Sequence, residues 1–277
     1  MFQINWKLKA LLYKIFSIFR LKKVFYFLQK YITRRSQIEI KEINKLWIFH
    51  SDSIKKNNVK NILELGAGKS LEQNIYISYK FNNSIEQTAI DINEMIDFDL
   101  VNEASRQISN ILGLKNKGKI YNLVDLKKLY KIDYRAPFNL KDLKNEYDMC
   151  VSTTALEHFQ VSDLKEHLND MKNILISGGL VSSVIDYSDH YSHTDTKISN
   201  LNYLRFSKDE WKKYNNSYLF QNRLRHQDYK YLFESSGYNI IEIFLGEPQV
   251  PPEVISDEFD INNKDTFVGW AYFLIRK

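Results

Sequence analysis

Short apolar runs alternate with amphipathic segments along most of this chain, and no other feature limits its fold as much. Each run is too short for a buried helix, and the segments between runs carry helical spacing. The runs are 59–68 (VKNILELGAG), 86–92 (EQTAIDI), 147–155 (YDMCVSTTA) and 179–187 (GLVSSVIDY); 101–114 and 163–176 place apolar residues three and four apart. This rhythm predicts βαβ units and a mostly parallel sheet flanked by helices. Two closing runs, 238–246 (YNIIEIFLG) and 266–277 (TFVGWAYFLIRK), have only a loop-like segment between them. They pair antiparallel most simply. A polar, helical stretch from Gln37 to Lys56 is expected before the first strand, and a helix from Arg225 to Ser236 before the sixth run, with Tyr229, Leu232 and Phe233 facing in.

Charge separates the N-terminus from the rest. Of the 39 Lys and Arg in 277 residues, nine lie within residues 1–35, where no acid occurs, so 30 remain against all 34 Asp and Glu. The body is slightly acidic, which argues against a basic face for nucleic acid. Lys or Arg at 7, 9, 14, 20, 22, 23 and 30 interrupts the arm, far short of the roughly 20 apolar residues of a membrane span. Neither an uninterrupted apolar core nor a small-residue cleavage site marks it as a signal peptide. Ile4, Leu8, Leu11, Leu12, Ile15, Ile18 and Phe19 form one helical stripe, and Leu21, Val24, Phe25, Leu28 and Ile32 a second, with a break near Arg20 to Lys23. Such an arm suits peripheral contact with an anionic membrane or a cap packed on the body; the two readings stand level. The expected division is therefore a basic helical arm at 1–35 and one α/β domain at 36–277, with a lid-like insertion at about 188–225. The lone Cys150 rules out a disulfide framework and a cysteine zinc site, and suits a reducing, cytoplasmic setting, which includes the inner face of a membrane.

Glu64-Leu65-Gly66-Ala67-Gly68-Lys69-Ser70 ends the first predicted strand. Glycine belongs where the chain turns sharply and a ligand approaches the backbone. The third position of a dinucleotide G-x-G-x-x-G is Leu71, so the pyrophosphate fingerprint is incomplete. The acid before the first glycine favours a ligand with a cationic group. Asp91, at the end of the second run, can accept hydrogen bonds from both ribose hydroxyls of an adenosine.

Glu64-Leu65-Gly66-Ala67-Gly68, Asp91 and Tyr147-Asp148-Met149-Cys150-Val151-Ser152-Thr153-Thr154-Ala155-Leu156-Glu157-His158 together resemble the class I S-adenosylmethionine-dependent methyltransferases. The last stretch is similar to their fourth strand, D-hydrophobic-V-x-S-x-x-x-L-E-H. The resemblance covers 59–187 and, more loosely, the closing strands. It implies a Rossmann-like, seven-stranded, mostly parallel sheet with a C-terminal antiparallel strand, and S-adenosylmethionine as cofactor. By the family pattern Glu64, Gly66, Ala67 and Gly68 hold the methionine end and Asp91 the ribose. Ile92, Tyr134, Arg135, Thr153 and Thr154 fall beside them, with Asp133 to Pro137 on the adenine side. Ser70 replaces the family's third glycine. A dehydrogenase is disfavoured by Leu71, and a nucleic-acid methyltransferase by Ser152-Thr153-Thr154-Ala155, which lacks the Asn/Asp-Pro-Pro-aromatic grip on a flipped base.

In an open α/β sheet the ligand sits beyond the carboxyl ends of the strands. Glu157-His158 follows the fourth run and Asp186 to Asp195 the fifth, and these two places hold three of the six histidines. Methyl transfer to a hydroxyl benefits from a general base. The candidates are His190, His193 and His158, oriented by Asp186, Asp189 or Glu157. Glu157, His158, Asp189, His190, His193 and Asp195 also suit a divalent metal, although their spacing is not diagnostic and no metal is assigned. In the lid, Tyr203, Arg205, Trp211, Asn222 and Arg223, with Glu157, form a candidate pocket for an anionic or sugar-like acceptor. Tyr203-Leu204-Arg205-Phe206-Ser207 and Gln221-Asn222-Arg223-Leu224-Arg225 are similar to methyltransferases of bacterial surface-polysaccharide and glycan synthesis. The resulting expectation is methyl transfer to an oxygen of a small or glycan-like, lipid-linked acceptor. The alternatives are a nitrogen or carbon acceptor, or a non-catalytic adenosine-binding module.

Overall fold

A computed structural model describes residues 3–19, 21, 38–143 and 146–277. Seven strands form one sheet: β1 (Asn61–Leu65), β2 (Glu86–Ile90), β3 (Ile132–Arg135), β4 (Tyr147–Thr153), β5 (Leu175–Asp186), β6 (Asn239–Leu245) and β7 (Trp270–Arg276). Their order is β3-β2-β1-β4-β5-β7-β6. The first five pair in parallel, while β7 lies antiparallel between β5 and β6. Five strands fall within the apolar runs of the sequence, and β5 starts four residues ahead of its run, at Leu175, where the spacing predicts a helix continuing to 176. No run marks β3, four residues whose alternating burial leaves no continuous apolar stretch.

The helices among the described residues are α1 (Trp6–Ile18), α2 (Lys45–Lys56), α3 (Glu72–Lys80), α4 (Phe98–Ile111), α5 (Leu123–Tyr130), α6 (Val161–Ile174), the single turn α7 (Lys208–Trp211) and α8 (His226–Ser235). The side chains of successive strand residues face opposite sides of the sheet, and the core divides accordingly. Ile62, Met149, Val151, Val184 and Tyr272 pack with α2 to α5 on one face. Leu63, Cys150, Val181, Ile185 and Phe273 pack with α6 and α8 on the other.

One expectation near the N-terminus is corrected. The helix expected from residue 37 begins only at Lys45, where Asn44 caps it by accepting from Leu46 N at 2.9 Å. The preceding backbone is instead held by Gln107 of α4, whose amide nitrogen donates to Ile38 O and whose oxygen accepts from Ile40 N. In α1 the buried residues are Trp6, Lys9 and Ala10, whereas the apolar stripe Leu8, Leu11, Leu12, Ile15, Ile18 and Phe19 is exposed. The helix thus docks by its narrower aromatic side. Trp6 enters a cluster of Tyr191, Phe206, Trp211 and Tyr214, with ring centroids 4.6 to 6.5 Å away. Most of the second stripe, Val24 to Ile32, lies outside the described residues. Among the described residues no helix is long and apolar enough to cross a membrane.

Candidate functional site

The first βα turn is built as its glycines require. Gly66 and Gly68 have φ of +75° and +77°. A Cβ on Gly66 would meet Ala155 at 3.0 Å, while one on Gly68 would point into open space. Glu64 is buried at the end of β1. One of its oxygens accepts from Gln73 Nε2 at 2.9 Å, and the other has no protein partner. Burial pushes its carboxyl up to about 8 against the pull of the nearby Asn74 side chain, and the charge of Asp91 adds to the rise. A cation entering the turn would restore the ionised form.

Asp91 stands across the turn at the end of β2. It accepts from Gly68 N at 3.2 Å and from the Tyr134 hydroxyl at 3.0 Å. Burial raises its pKa against these two hydrogen bonds. Tyr134 is itself buried and also accepts from Met95 N, so it orients Asp91. Arg135, expected beside the cofactor, instead pairs with Asp133 at 2.8 Å and lies over the Phe138 ring. A cleft of about 890 Å³ opens from Gly66, Asp91 and the exposed Ile92, along Phe138 and Thr154, to His158. These residues fit an adenosine-bearing sulfonium: an unpartnered buried carboxylate for its ammonium, an acid for its ribose, and a turn with room for a close approach.

Thr153 and Thr154 end β4 differently. The Thr153 hydroxyl donates to Gln73 Oε1 at 2.7 Å, so its hydrogen is committed within the protein. Its oxygen lies 2.9 Å from His50 Nε2, and His50 Nδ1 lies 2.7 Å from Ser182 Oγ. Desolvation lowers the His50 pKa to about 3. His50 and Gln73 carried no sequence signal, because their partners come from distant strand ends. Thr154 has φ of +50° and walls both the cleft and a second chamber of about 720 Å³. Glu39, Glu42, Glu72, Asp186 and Trp270 line that chamber.

The groups after β4 and β5 meet where cleft and chamber adjoin. His190 Nε2 is 3.3 Å from Asp186 Oδ2, and its ring is 5.0 Å from that of His158 and 5.2 Å from that of His193. Asp186 is desolvated, but His190 and the Ser188 amide outweigh that and hold its carboxyl below the usual range. Glu157 is 2% exposed with neither carboxyl oxygen partnered, and burial with the Asp186 charge raises its pKa well above normal. His158 shows an exposed edge to the cleft, yet close surroundings lower its pKa. His193 is exposed, with Nε2 3.3 Å from Ser188 Oγ. Asp189 and Asp195 stand apart in role. Asp189 is fully buried and accepts from Asn202 and Tyr191, and Asp195 accepts from Trp6 N and Lys197 N, so both organise the loop.

The lid residues expected to meet an acceptor are mostly engaged internally. Tyr203 is fully buried and donates to Tyr187 O; Trp211 is 3% exposed in the aromatic cluster. Arg223 donates to Tyr203 O and Phe206 O and pairs with Glu258. Asn222 donates to Leu156 O and Phe159 O, clamping the turn that carries Glu157 and His158. Arg205 lines a separate cavity with Lys197 and Pro251. Aromatic and cationic composition looked like a ligand pocket because the same residue types also pack a lid with little regular secondary structure of its own.

No protein-family model matches the chain, and no curated protein matches it in sequence. Solved structures do resemble it in three dimensions. A Nostoc punctiforme protein described as a candidate O-methyltransferase is 14% identical, with TM-score 0.48 over 84% of this chain and 56% of that one. The 1,6-didemethyltoxoflavin N1-methyltransferase of Burkholderia thailandensis, solved with that compound and S-adenosylhomocysteine bound, is 11% identical, with TM-score 0.48 over 85% and 79%. An S-adenosylmethionine-dependent methyltransferase of Clostridium acetobutylicum is 13% identical, with TM-score 0.46 over 92% and 98%. The chain spans about half the length of the Nostoc protein.

Proposed function

We propose that this chain is an S-adenosylmethionine-dependent methyltransferase acting on an oxygen of a small or glycan-like acceptor. The observation that carries this reading is the cleft running from the Gly66–Gly68 turn and Asp91 to His158, with the unpartnered Glu64 carboxyl buried behind the turn. When bound, the cofactor supplies an electrophilic methyl group on a sulfonium. Glu64 then holds the ammonium, Asp91 the ribose hydroxyls, and Phe138 an apolar wall. Transfer is an in-line displacement, so the chain's main task is to align the acceptor and exclude water. The acceptor oxygen's lone pair forms the new bond to carbon as the carbon–sulfur pair leaves to sulfur. The hydroxyl proton goes to the Asp186–His190 pair. The acceptor itself occupies the second chamber, where Trp270 offers an apolar face and Glu39, Glu42 and Glu72 offer acceptors for sugar hydroxyls.

Calorimetry with S-adenosylmethionine and S-adenosylhomocysteine tests the cofactor, and transfer of a labelled methyl group to an extract of cell glycans tests the acceptor. Absence of binding removes the reading. Binding without turnover on any acceptor favours an adenosine-ligand module.

We further propose that the exposed stripe of α1 rests on an anionic membrane surface, which places the enzyme beside lipid-linked glycan precursors at the inner face. Six exposed apolar residues flanked by Lys7 and Lys14 support this.

A further inference from the structure

We propose that Glu157, His158 and His190 bind one divalent transition-metal ion between the turn after β4 and the loop after β5, beside the end of the cleft that His158 lines. One ligand atom from each lies within 4.8 Å of the others. Around a tetrahedral ion with nitrogen and oxygen bonds near 2.1 Å, donors sit about 3.4 Å apart, so a modest inward turn of the side chains closes the set. Glu157 supplies the independent sign of a ligand: both its oxygens are buried and without a hydrogen-bond partner. A buried carboxyl left this way is expensive unless something fills the gap.

The imidazoles are prepared for the same task. His158 Nδ1 lies 2.7 Å from Phe220 O, which can only accept, so Nδ1 carries the hydrogen and Nε2 keeps its lone pair. His190 engages Asp186 through Nε2, which leaves Nδ1 as the nitrogen with a lone pair to give. Metal-binding histidines are held in this manner, with the second ring nitrogen bonded to a carbonyl or carboxylate. Asn222, bonded to Leu156 O and Phe159 O, fixes the turn that presents Glu157 and His158. Two imidazoles and one carboxylate select zinc, manganese, iron or cobalt over magnesium or calcium, which prefer all-oxygen shells. Three protein ligands leave a position open for a hydroxyl, whose acidity the ion would raise; with His190 Nδ1 on the ion, the proton would leave to water and not to the His190 ring. Only this last step rests on the proposed methyl transfer; metal binding itself does not.

The test uses the full chain without an affinity tag, stripped with chelator and then titrated with Co²⁺ and Zn²⁺. Wild type is expected to bind one Co²⁺ with visible absorption bands of a four- or five-coordinate site, displaced by Zn²⁺, and to melt at a higher temperature with Zn²⁺. His158→Gln and Glu157→Gln should lose the bands and the melting shift, and Asp186→Asn should weaken Co²⁺ binding about 10- to 100-fold. His158 has an exposed edge, so its variant is expected to keep the fold even where the Glu157 variant does not. Absence of Co²⁺ bands in wild type, or bands unchanged in His158→Gln, overturns the proposal. S-adenosylhomocysteine calorimetry on the same stripped protein reports the cofactor reading separately: its binding persists if only the metal inference fails.

Discussion

His50 Nε2 lies 2.9 Å from Thr153 Oγ1, tying α2 to the end of β4 directly beneath the cofactor turn. Thr153 passes its hydrogen to Gln73, and Gln73 passes one to Glu64. A histidine on the segment preceding the sheet is therefore linked through Thr153 and Gln73 to the Glu64 carboxyl, the group proposed to hold the cofactor's ammonium. Burial keeps His50 neutral.

The first prediction follows from that neutrality. Desolvation holds folded His50 at about 3, against about 6.5 unfolded, so between those values the unfolded chain binds more protons. The stability this group contributes is complete above pH 6.5 and is lost as pH falls. From pH 7 to 5 the expected loss is about 2 kcal/mol. Urea unfolding at the two pH values should show it in wild type, and His50→Gln should flatten the dependence by that amount.

Glu64 gives the opposite sign. Its folded pKa of about 8 is raised above the unfolded value, so its share of stability is present at low pH and is lost as pH rises toward 8. The cationic end of the cofactor requires the ionised form. Binding below pH 8 should thus release close to one proton, and affinity should fall about tenfold per pH unit from 7 to 5. Calorimetry in two buffers of different ionisation enthalpy reads the proton directly. Glu64→Gln should remove the release, weaken binding, and stabilise the unliganded chain at pH 8.

How much of this was legible in the sequence differs by element. The strands carrying Glu64 and Cys150, and the strand that Asp91 follows, were readable because they are short and apolar, whereas the start of β5 was not, because its first residues are exposed. The sharp turn after β1 was readable because glycines are required where φ is positive. β3 escaped because its half-buried residues leave no apolar run. His50 and Gln73 escaped because their meaning lies in partners 80 to 132 residues away. The lid misled for a physical reason: Tyr203, Trp211 and Arg223 pack on one another, and composition cannot tell a filled aromatic cluster from an open pocket.

Asp91 and Tyr134 separate contact from positioning. Asp91→Ala removes the ribose acceptor and should weaken S-adenosylhomocysteine binding about 100-fold, as loss of a charged hydrogen-bonding group does. Tyr134→Phe removes only the 3.0 Å bond that orients Asp91. It should weaken binding about 3- to 10-fold. Equal losses in the two variants would mean that Tyr134 touches the ligand itself.

The arm makes the last prediction, because its two faces do different things. Trp6 is 4% exposed in its aromatic cluster, and its amide donates to Asp195 Oδ2 at 2.9 Å, so the inner face holds the loop that carries His190. Trp6→Ala should lower stability by about 3 kcal/mol, as loss of a buried Trp side chain does, and reduce turnover by loosening that loop. The outer face contributes little to that packing: Leu11, Ile18 and Phe19 are 56 to 68% exposed. Replacing these three with Ser should leave the melting temperature within about 1 °C, since exposed substitutions change stability by only a few tenths of a kcal/mol. The same variant should lose flotation with vesicles rich in anionic lipid, and high salt should weaken flotation of wild type. If the triple variant floats as wild type does, the outer stripe does not meet the membrane and the arm serves only to cap the loop.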